Sequence, residues 1–263
     1  MSTLLKVDRL FGGYGNEIII QDISFEIKRG EFLSIIGPNG SGKSTLLRLM
    51  SRVLYPREGR ILFEDKDIAK MKLKQLAQNI AFVPQDTLIS FSFTVWEIVV
   101  MGRIPHLGRL QLETQKDLSI AENSLLLTDS LQLKDKKIDQ LSAGERQRII
   151  IAKALAQEPI LLFLDEPTSH LDIGHQIEIL DLLKKLNREK GLTIVMVLHD
   201  LNLASEYCNR IILLKEGKIF KSGSPEEVLT YQNIEAVYKT IVVVNRNPIS
   251  SKPYVLVMPR ERQ

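Results

Sequence analysis

The chain lacks most features that mark secreted, membrane-spanning or nucleic-acid-binding proteins. Among its 263 residues there is one cysteine, Cys208, so an intrachain disulfide is excluded and a reducing compartment is predicted. No apolar run approaches the roughly 18 residues of a membrane helix, and residues 1–8 lack the apolar stretch of a signal peptide. The net charge of +3 is small and interspersed, so we expect no nucleic-acid partner. Any contact with a membrane is expected to run through another chain.

Short apolar runs with the length of buried parallel strands are present instead. They lie at residues 32–36, 80–83, 160–164 and 193–198. Helical patterns separate these runs: apolar residues between 179 and 186 recur at the spacing of one helix face, and Gly191 follows as a stop signal. Alternating strands and helices predict an α/β fold.

Three segments depart from this alternation. Residues 1–31 contain alternating segments typical of antiparallel strands, and residues 87–139 have helical spacing without a buried-strand run. Near the C-terminus we predict a hairpin around Glu216-Gly217, a helix that begins at Ser224-Pro225, and two short strands. We therefore predict a single domain over 1–263. Its predicted parts are a core with an antiparallel β subdomain (1–86 and 140–222), a helical subdomain (87–139) and a C-terminal extension (223–263).

A phosphate-binding motif follows the first buried run. Residues 37–45, GPNGSGKST, match G-x-x-x-x-G-K-[ST], with a strand before them and an apolar helix pattern after them. Backbone N–H groups of such a loop converge on phosphates, Lys43 would contact the β and γ phosphates, and the Ser44 hydroxyl would bind Mg²⁺. The alternative is a plain glycine-rich turn, which the flanking elements disfavour. The residues predicted to bind nucleotide are Gly37, Asn39, Gly40, Ser41, Gly42, Lys43, Ser44 and Thr45.

Two carboxylates end the third apolar run. Asp165 and Glu166 directly follow residues 160–164, where ligands of open α/β sheets bind. Buried carboxylates are costly unless a cation or a reacting group compensates them. We assign Asp165 to the Mg²⁺ site and Glu166 to general-base catalysis on the attacking water. A structural cap at the strand end is the alternative, and Lys43 in the same chain favours the catalytic role.

At Leu141-Ser142-Ala143-Gly144-Glu145 the sequence resembles the signature of ATP-binding subunits of ABC transporters, and the resemblance covers nearly the whole chain. Ser142 and Glu145 also form an S-x-x-E capping box, and the two interpretations are compatible. In that family this helix start, here Ser142, Ala143, Gly144 and Glu145, binds the γ-phosphate of ATP held by the opposite subunit. Ala143 stands where glycine is usual. A positive φ would cost alanine about 1 kcal/mol, so we expect a right-handed conformation there.

The resemblance implies roles for four further residues. Gln85 would sense Mg²⁺ and the attacking water, and His199 would contact the γ-phosphate as a switch residue. Asp172, in Ser169-His170-Leu171-Asp172, would communicate between the two nucleotide sites, with a helix N-cap as the alternative. Tyr14 would stack on adenine, and its alternative is a turn residue among glycines. The other three histidines show no metal-site spacing.

The function implied by the resemblance is that of a P-loop ATPase that binds ATP and Mg²⁺ and closes as an ATP-dependent head-to-tail homodimer. It would work on the cytoplasmic face of the cell membrane with two permease subunits and, indirectly, a substrate-binding protein.

Residues 99–106, the Ser169-His170 loop and residues 238–259 resemble the subgroup that powers uptake of iron siderophores, haem or cobalamin. We favour an iron complex, with cobalamin next. Gly102, Arg103 and Pro105 predict a helix break suited to contact with a partner. The alternatives are an ATPase of another metal importer, a soluble ABC ATPase without a transport role, and a P-loop kinase.

Overall fold

The computed structural model describes residues 2–85 and 92–258. The strands are β1 (Thr3–Gly12), β2 (Ile20–Lys28), β3 (Phe32–Ile36), β4 (Glu58–Phe63), β5 (Lys66–Asp67), β6 (Ile80–Val83), β7 (Leu161–Asp165), β8 (Thr193–Val197), β9 (Arg210–Lys215), β10 (Lys218–Gly223), β11 (Val242–Arg246) and β12 (Pro253–Val257). The α-helices are α1 (Lys43–Met50), α2 (Leu73–Ala77), α3 (Val95–Val100), α4 (Gln115–Leu127), α5 (Ala143–Ala156), α6 (Ile173–Lys190), α7 (Leu201–Tyr207), α8 (Pro225–Val228) and α9 (Tyr231–Tyr238). Within the described ranges no helix combines the length and apolarity that crossing a membrane requires.

The chain forms two compact units. The first unit comprises Met1–Lys70 and Thr193–Gln263, and the second unit comprises Met71–Leu192. The sequence predicts a different partition, into core, helical subdomain and extension, which stays a prediction. Its 86/87 boundary and its outer ends, residues 1 and 259–263, lie outside the described residues.

Sheets dominate the first unit. An antiparallel sheet has the order β2-β1-β4-β5, and its strands bury alternate residues such as Leu5 and Val7. In a second sheet β3 lies between β9 and β8 and runs parallel to both, while β10 pairs antiparallel with β9. All five residues of β3 are buried, as a near-continuous apolar run predicts. Because β3 and β8 are parallel, the segments that follow them emerge at the same edge.

The second unit combines a parallel strand pair with helices. Strands β6 and β7 pair in parallel from Ile80↔Leu161 to Val83↔Leu164. Apolar faces of α3, α4 and α5 meet in one buried cluster that includes Val99, Leu125 and Ile149. Helices α3 and α4 each begin with a capping box, and so does α5.

Most predicted elements are confirmed. The fold is α/β, the β9–β10 and β11–β12 hairpins are present, and α6 ends at Lys190 with Gly191 in the left-handed region at φ 65°. A residue without a side chain adopts this conformation at little cost, which is why glycine follows the helix.

The helix break predicted at Gly102, Arg103 and Pro105 is confirmed, because α3 ends at Val100 and a 3-10 helix, Met101–His106, follows it. The partner contact expected there is wrong for Gly102 and Arg103, which are both buried, and stays a prediction for Pro105. The Arg103 side chain is 3% exposed, and it donates from Nε to Asp117 Oδ1 at 3.0 Å and from Nη1 to Glu158 Oε2 at 2.8 Å. A Cβ at Gly102 would lie 2.2 Å from a backbone carbonyl oxygen of α5. Gly102 and Arg103 therefore make packing contacts inside the second unit.

Candidate functional site

The phosphate loop joins β3 to α1 in the first unit. Gly37, Gly40 and Gly42 have φ values of 151°, 77° and 99°, a backbone that favours glycine. A Cβ at Gly37 would lie 2.5 Å from the carbonyl oxygen of Leu214. Gly42 is the N-cap residue of α1 and supplies no side-chain cap. The helix therefore presents its N-terminal backbone, where partial positive charge favours an anion.

Polar groups inside this loop suit a phosphate ligand. Lys43 is 6% exposed, and its Nζ donates to the carbonyl oxygens of Gly37 at 2.9 Å and Pro38 at 3.1 Å. The buried Ser41 Oγ has no hydrogen-bond partner among the described residues. Asn39 and Gly40 are exposed at the loop tip, Ser44 is half-buried and Thr45 is buried. An ammonium held on carbonyls and an unsatisfied hydroxyl are groups that an anionic ligand would engage.

Tyr14 and His199 belong to the same unit. Tyr14 is 38% exposed, and its Oη accepts a hydrogen bond from Arg48 Nη1 of α1 at 2.8 Å. His199 is exposed and follows β8, whose last residue Val197 pairs with Ile35 of β3. His199 and the phosphate loop therefore follow neighbouring strands at one edge of the sheet. Sequence reasoning missed Arg48, the hydrogen-bond partner of Tyr14. Its position in the helix after the loop was the only available indication.

The second unit carries the candidate acids. Asp165 ends the buried strand β7 and is 1% exposed. Gln85 follows β6, and its Nε2 donates to Glu166 Oε2 at 2.8 Å. The parallel pairing of Val83 with Leu164 explains this contact, because it brings the two strand ends side by side. The structure thus joins two residues, Gln85 and Glu166, that the sequence separates by 81 positions.

The backbone at Glu166 has an unusual conformation for a residue with a side chain. Its φ of 51° is in the left-handed region, and its carbonyl oxygen accepts from Ser169 N at 3.1 Å and Ser169 Oγ at 2.9 Å. A carboxylate in such a turn, with an amide donor on one oxygen, can accept a proton from a water molecule within hydrogen-bond reach.

The predicted signature segment begins α5. Ser142 is the N-cap residue, its Oγ accepts from Glu145 N at 3.2 Å, and Glu145 Oε2 accepts from Ser142 N at 2.8 Å. This backbone hydrogen bond, opposed by burial, holds the pKa of the Glu145 carboxyl below its ordinary value. Ala143 is the first residue of α5, so the expected right-handed conformation is confirmed. Both the capping box and an exposed helix start are therefore present.

Asp172 is the N-cap residue of α6, as the alternative interpretation predicts. Its Oδ1 accepts from His175 N at 2.9 Å, and its Oδ2 lies 2.8 Å from His175 Nδ1. These bonds, the backbone one first, lower the pKa of Asp172 below its ordinary value. The His175 ring packs on the signature, since a Cβ at Gly144 would lie 2.3 Å from His175 Cδ2.

His175 is a residue that the sequence argument missed. It links Asp172 to Gly144, two positions for which only the resemblance implied a function. The available signal was the i, i+3 spacing of an N-cap aspartate and a histidine in the first helical turn. That spacing does not reveal which residue packs under the ring.

The residues predicted to bind Mg²⁺ carry oxygen groups that suit an ion held mainly by the nucleotide. Among residues 2–85 and 92–258, no group of three or more His, Cys, Asp or Glu side chains is placed to hold a metal ion. Mg²⁺ commonly binds through one or two carboxylates together with substrate phosphates and water. The predicted ligands are hard oxygen groups of that chemical type: the Ser44 hydroxyl in the first unit, and the Asp165 carboxylate and the Gln85 amide in the second unit.

Sequence comparison identifies relatives of the chain. Residues 20–169 match the family model described as ABC transporter. YvrA of Bacillus subtilis, an uncharacterized ABC transporter ATP-binding protein, is 43% identical over 258 residues, which are 98% of this chain and 58% of YvrA. FepC of Escherichia coli, a ferric enterobactin transport ATP-binding protein, is 40% identical over 256 residues, or 97% of this chain and 94% of FepC. BtuD of Halobacterium salinarum, a cobalamin import ATP-binding protein, is 36% identical over 241 residues, or 92% of this chain and 60% of BtuD.

Solved structures resemble the chain over most of its length. A metal-chelate type ABC transporter in an inward-facing conformation superposes with a TM-score of 0.87 at 30% identity, covering 99% of both chains. A dimeric ATP-binding cassette in a post-hydrolysis state, bound to ADP and Pi, superposes with a TM-score of 0.73 at 33% identity. That match covers 84% of this chain and 98% of the other.

Proposed function

The chain belongs to the ABC transporter ATP-binding family, and from this we propose that it hydrolyses ATP to power membrane uptake of an iron complex through separate permease subunits. The observation that carries the catalytic part is the 2.8 Å hydrogen bond between Gln85 and Glu166 beside the buried Asp165. An ATPase of this family needs a base for the attacking water and a group that orients that base. Glu166 and Gln85 are in contact and can fill these two roles.

The proposed chemistry assigns one task to each group. Lys43 and the N-terminus of α1 bind the triphosphate and neutralise charge that develops on transfer. Glu166 accepts the proton of the attacking water while Gln85 holds its carboxylate, and His199 contacts the γ-phosphate. Mg²⁺, when held by Ser44, Asp165 and Gln85 with the nucleotide, supplies charge neutralisation at the phosphates. Tyr14 stacks on adenine.

We propose that the signature acts on a second copy of the chain. Ser142, Ala143, Gly144 and Glu145 form a helix start that favours an anion, and they would meet the γ-phosphate bound by the opposite subunit. Two copies related by a two-fold axis then complete two sites at once, and Asp172 communicates between them. The likeness to a dimeric cassette bound to ADP and Pi supports this arrangement.

The substrate proposal follows the relatives. The likeness to FepC, of which the chain covers 94%, supports a ferric siderophore. The likeness to BtuD favours cobalamin as the second candidate, with the chain covering 60% of that protein. In either case the chain would sit on the cytoplasmic face of the membrane, with two permease subunits and, through them, a substrate-binding protein.

The catalytic proposal is tested with Glu166→Gln. This variant keeps the hydrogen-bond partner but loses the base, so we expect ATP binding to persist, turnover to fall at least about 100-fold, and an ATP-bound dimer to accumulate. Gel filtration with ATP and phosphate release measure the two effects. Glu113→Gln, at an exposed position, is the matched control. Wild-type turnover in Glu166→Gln would remove Glu166 from this role.

The transport proposal is tested by uptake of labelled siderophore, haem and cobalamin in a strain that lacks the gene. Loss of siderophore uptake alone, restored by the wild-type chain and not by Glu166→Gln, is the expected result. Loss of cobalamin uptake alone would select the second candidate. Unchanged uptake of all three, with the ATPase found only in the cytosolic fraction, would favour an ATPase without a transport role.

A further inference from the structure

The imidazole ring of His175 covers the start of α5. Gly144, the second residue of α5, is buried, although its neighbours Ala143 and Glu145 are not. A Cβ at Gly144 would lie 2.3 Å from His175 Cδ2, 2.8 Å from Cγ and 3.0 Å from Nε2. One edge of the ring therefore fills the space in which another residue would place its first side-chain atom. Both residues belong to the second unit.

Asp172 fixes the orientation of that ring. Its Oδ1 accepts from the backbone N–H of His175 at 2.9 Å, and its Oδ2 bonds to His175 Nδ1 at 2.8 Å. A carboxylate only accepts hydrogen bonds, so Nδ1 carries the hydrogen. The ring cannot turn over without breaking this bond, and the edge that faces Gly144 is thereby determined.

A second contact joins the same two helices. Arg148 Nη1 of α5 donates to Glu178 Oε2 of α6 at 2.9 Å. Gly144 and Arg148 are one turn apart on α5, and His175 and Glu178 are one turn apart on α6. The first turns of the two helices therefore lie side by side, and α6 holds α5 near its start.

The capping box of α5 does not provide this attachment. Glu145 N donates to Ser142 Oγ at 3.2 Å, and Ser142 N donates to Glu145 Oε2 at 2.8 Å. Both bonds join the helix start to itself and leave open where that start lies in the second unit. The ring of His175 attaches it to α6.

We propose that His175 is a positioning residue for the signature: its imidazole, oriented by Asp172, holds Gly144 and with it the start of α5. The inference rests on the proposed function, because it takes this helix start to bind the γ-phosphate of a second copy. It also gives Asp172, proposed to communicate between the two sites, a physical connection to the signature through one side chain.

The test replaces His175 with alanine, which removes the ring and the partner of Asp172. We expect kcat at saturating ATP to fall by about 10- to 100-fold, because a displacement of about 1 Å from the productive geometry can cost about 100-fold in rate. The Kd for ADP should stay at the wild-type value, since the phosphate loop and Tyr14 belong to the first unit. The number of ADP molecules bound per chain should also be unchanged, which excludes a loss of folded protein as the cause.

Two further variants separate positioning from a general effect of substitution in α6. His175→Asn places amide atoms where Cγ, Nδ1 and Cδ2 of the ring lie, so we expect it to recover most of the lost kcat. Lys185→Ala, at an exposed position of α6, is the matched control and should hydrolyse ATP like the wild-type protein. Wild-type kcat in His175→Ala, or no recovery in His175→Asn, would overturn the inference and leave the proposed function standing.

Hydrogen exchange in the protein without nucleotide tests the attachment independently of ATP hydrolysis. The backbone N–H groups of Glu145 and Arg146 donate to Ser142, and a helix start that is not attached opens more often. We expect both amides to exchange faster in His175→Ala than in the wild-type protein and in Lys185→Ala. Equal exchange rates would overturn the positioning role. A wild-type protein that hydrolysed no ATP would instead refute the proposed function.

Discussion

The buried guanidinium of Arg103 supports a quantitative prediction about the second unit. Its Nη1 donates to the Ala156 carbonyl oxygen at 2.6 Å in addition to its ion pairs with Asp117 and Glu158. Arg103→Met keeps much of the apolar stem and removes the charge, which leaves the buried Asp117 without this cation. Breaking one side of a buried pair costs about 3–5 kcal/mol. At about 2–4 °C per kcal/mol for a domain of 150–250 residues, the midpoint of thermal unfolding falls by roughly 6–20 °C.

Fluorescence can follow this unit directly. Trp96 is the only tryptophan of the chain and packs against the buried cluster of the second unit, with Lys134 Nζ 4.0 Å from its ring centre. Arg109→Met, six positions along at an exposed site, is the matched control and should melt like the wild-type protein. The double variant with Asp117→Asn should lose less than the sum of the two single changes, because the residues are in contact. A melting point for Arg103→Met within 2 °C of the control, below the roughly 6 °C lower bound, would refute the reasoning.

Two other perturbations have expected outcomes. Gly144→Ala places a Cβ 2.3 Å from His175 Cδ2, so overpacking should cost about 1–3 kcal/mol in urea unfolding. Gly174→Ala, whose Cβ meets only Asp172 Oδ1 at 3.4 Å, should be neutral or slightly stabilising, and equal effects would contradict this account. For acid unfolding, hydrogen bonds from Thr114 and then Arg103 lower the pKa of Asp117 from 3.8 to about 2. Because the folded value is the lower one, the carboxylate stabilises the protein above pH 3.8 and that stability is lost as the pH falls toward 2. The unfolding midpoint of Asp117→Asn should therefore depend less on pH between 3.8 and 2 than that of the wild-type protein. The same pH profile in both proteins would show that Asp117 makes no such contribution.

The local parts of the molecule could be predicted because each depends on residues adjacent in the chain. The phosphate loop is bounded by a strand and a helix whose patterns are visible in the sequence, and the Ser142 capping box needs only residues 142–145. Arg103 shows the opposite case. Glycine and proline near it signal a break whether the segment faces solvent or the core. Its partner Glu158 is 55 positions away, and no local pattern records that pairing.

The contact between Gln85 and Glu166 lies between these cases. Parallel pairing of two predicted strands brings their ends to one edge, so proximity could be inferred in principle. The hydrogen bond itself depends on the turn after β7, and the sequence signals a different backbone there. A residue before proline normally adopts an extended φ near −120°, and Glu166 precedes Pro167.

Glu166 instead has a φ of 51°, and such a conformation costs a non-glycine residue about 1–2 kcal/mol. Both hydrogen bonds from Ser169 to its carbonyl oxygen help to offset that cost. The conformation turns the chain after Asp165 so that the Glu166 side chain meets the amide of Gln85. Turn residues such as Glu64 and Glu216 share a positive φ, so the general-base hypothesis for Glu166 rests on its contact with Gln85 and not on the backbone angle.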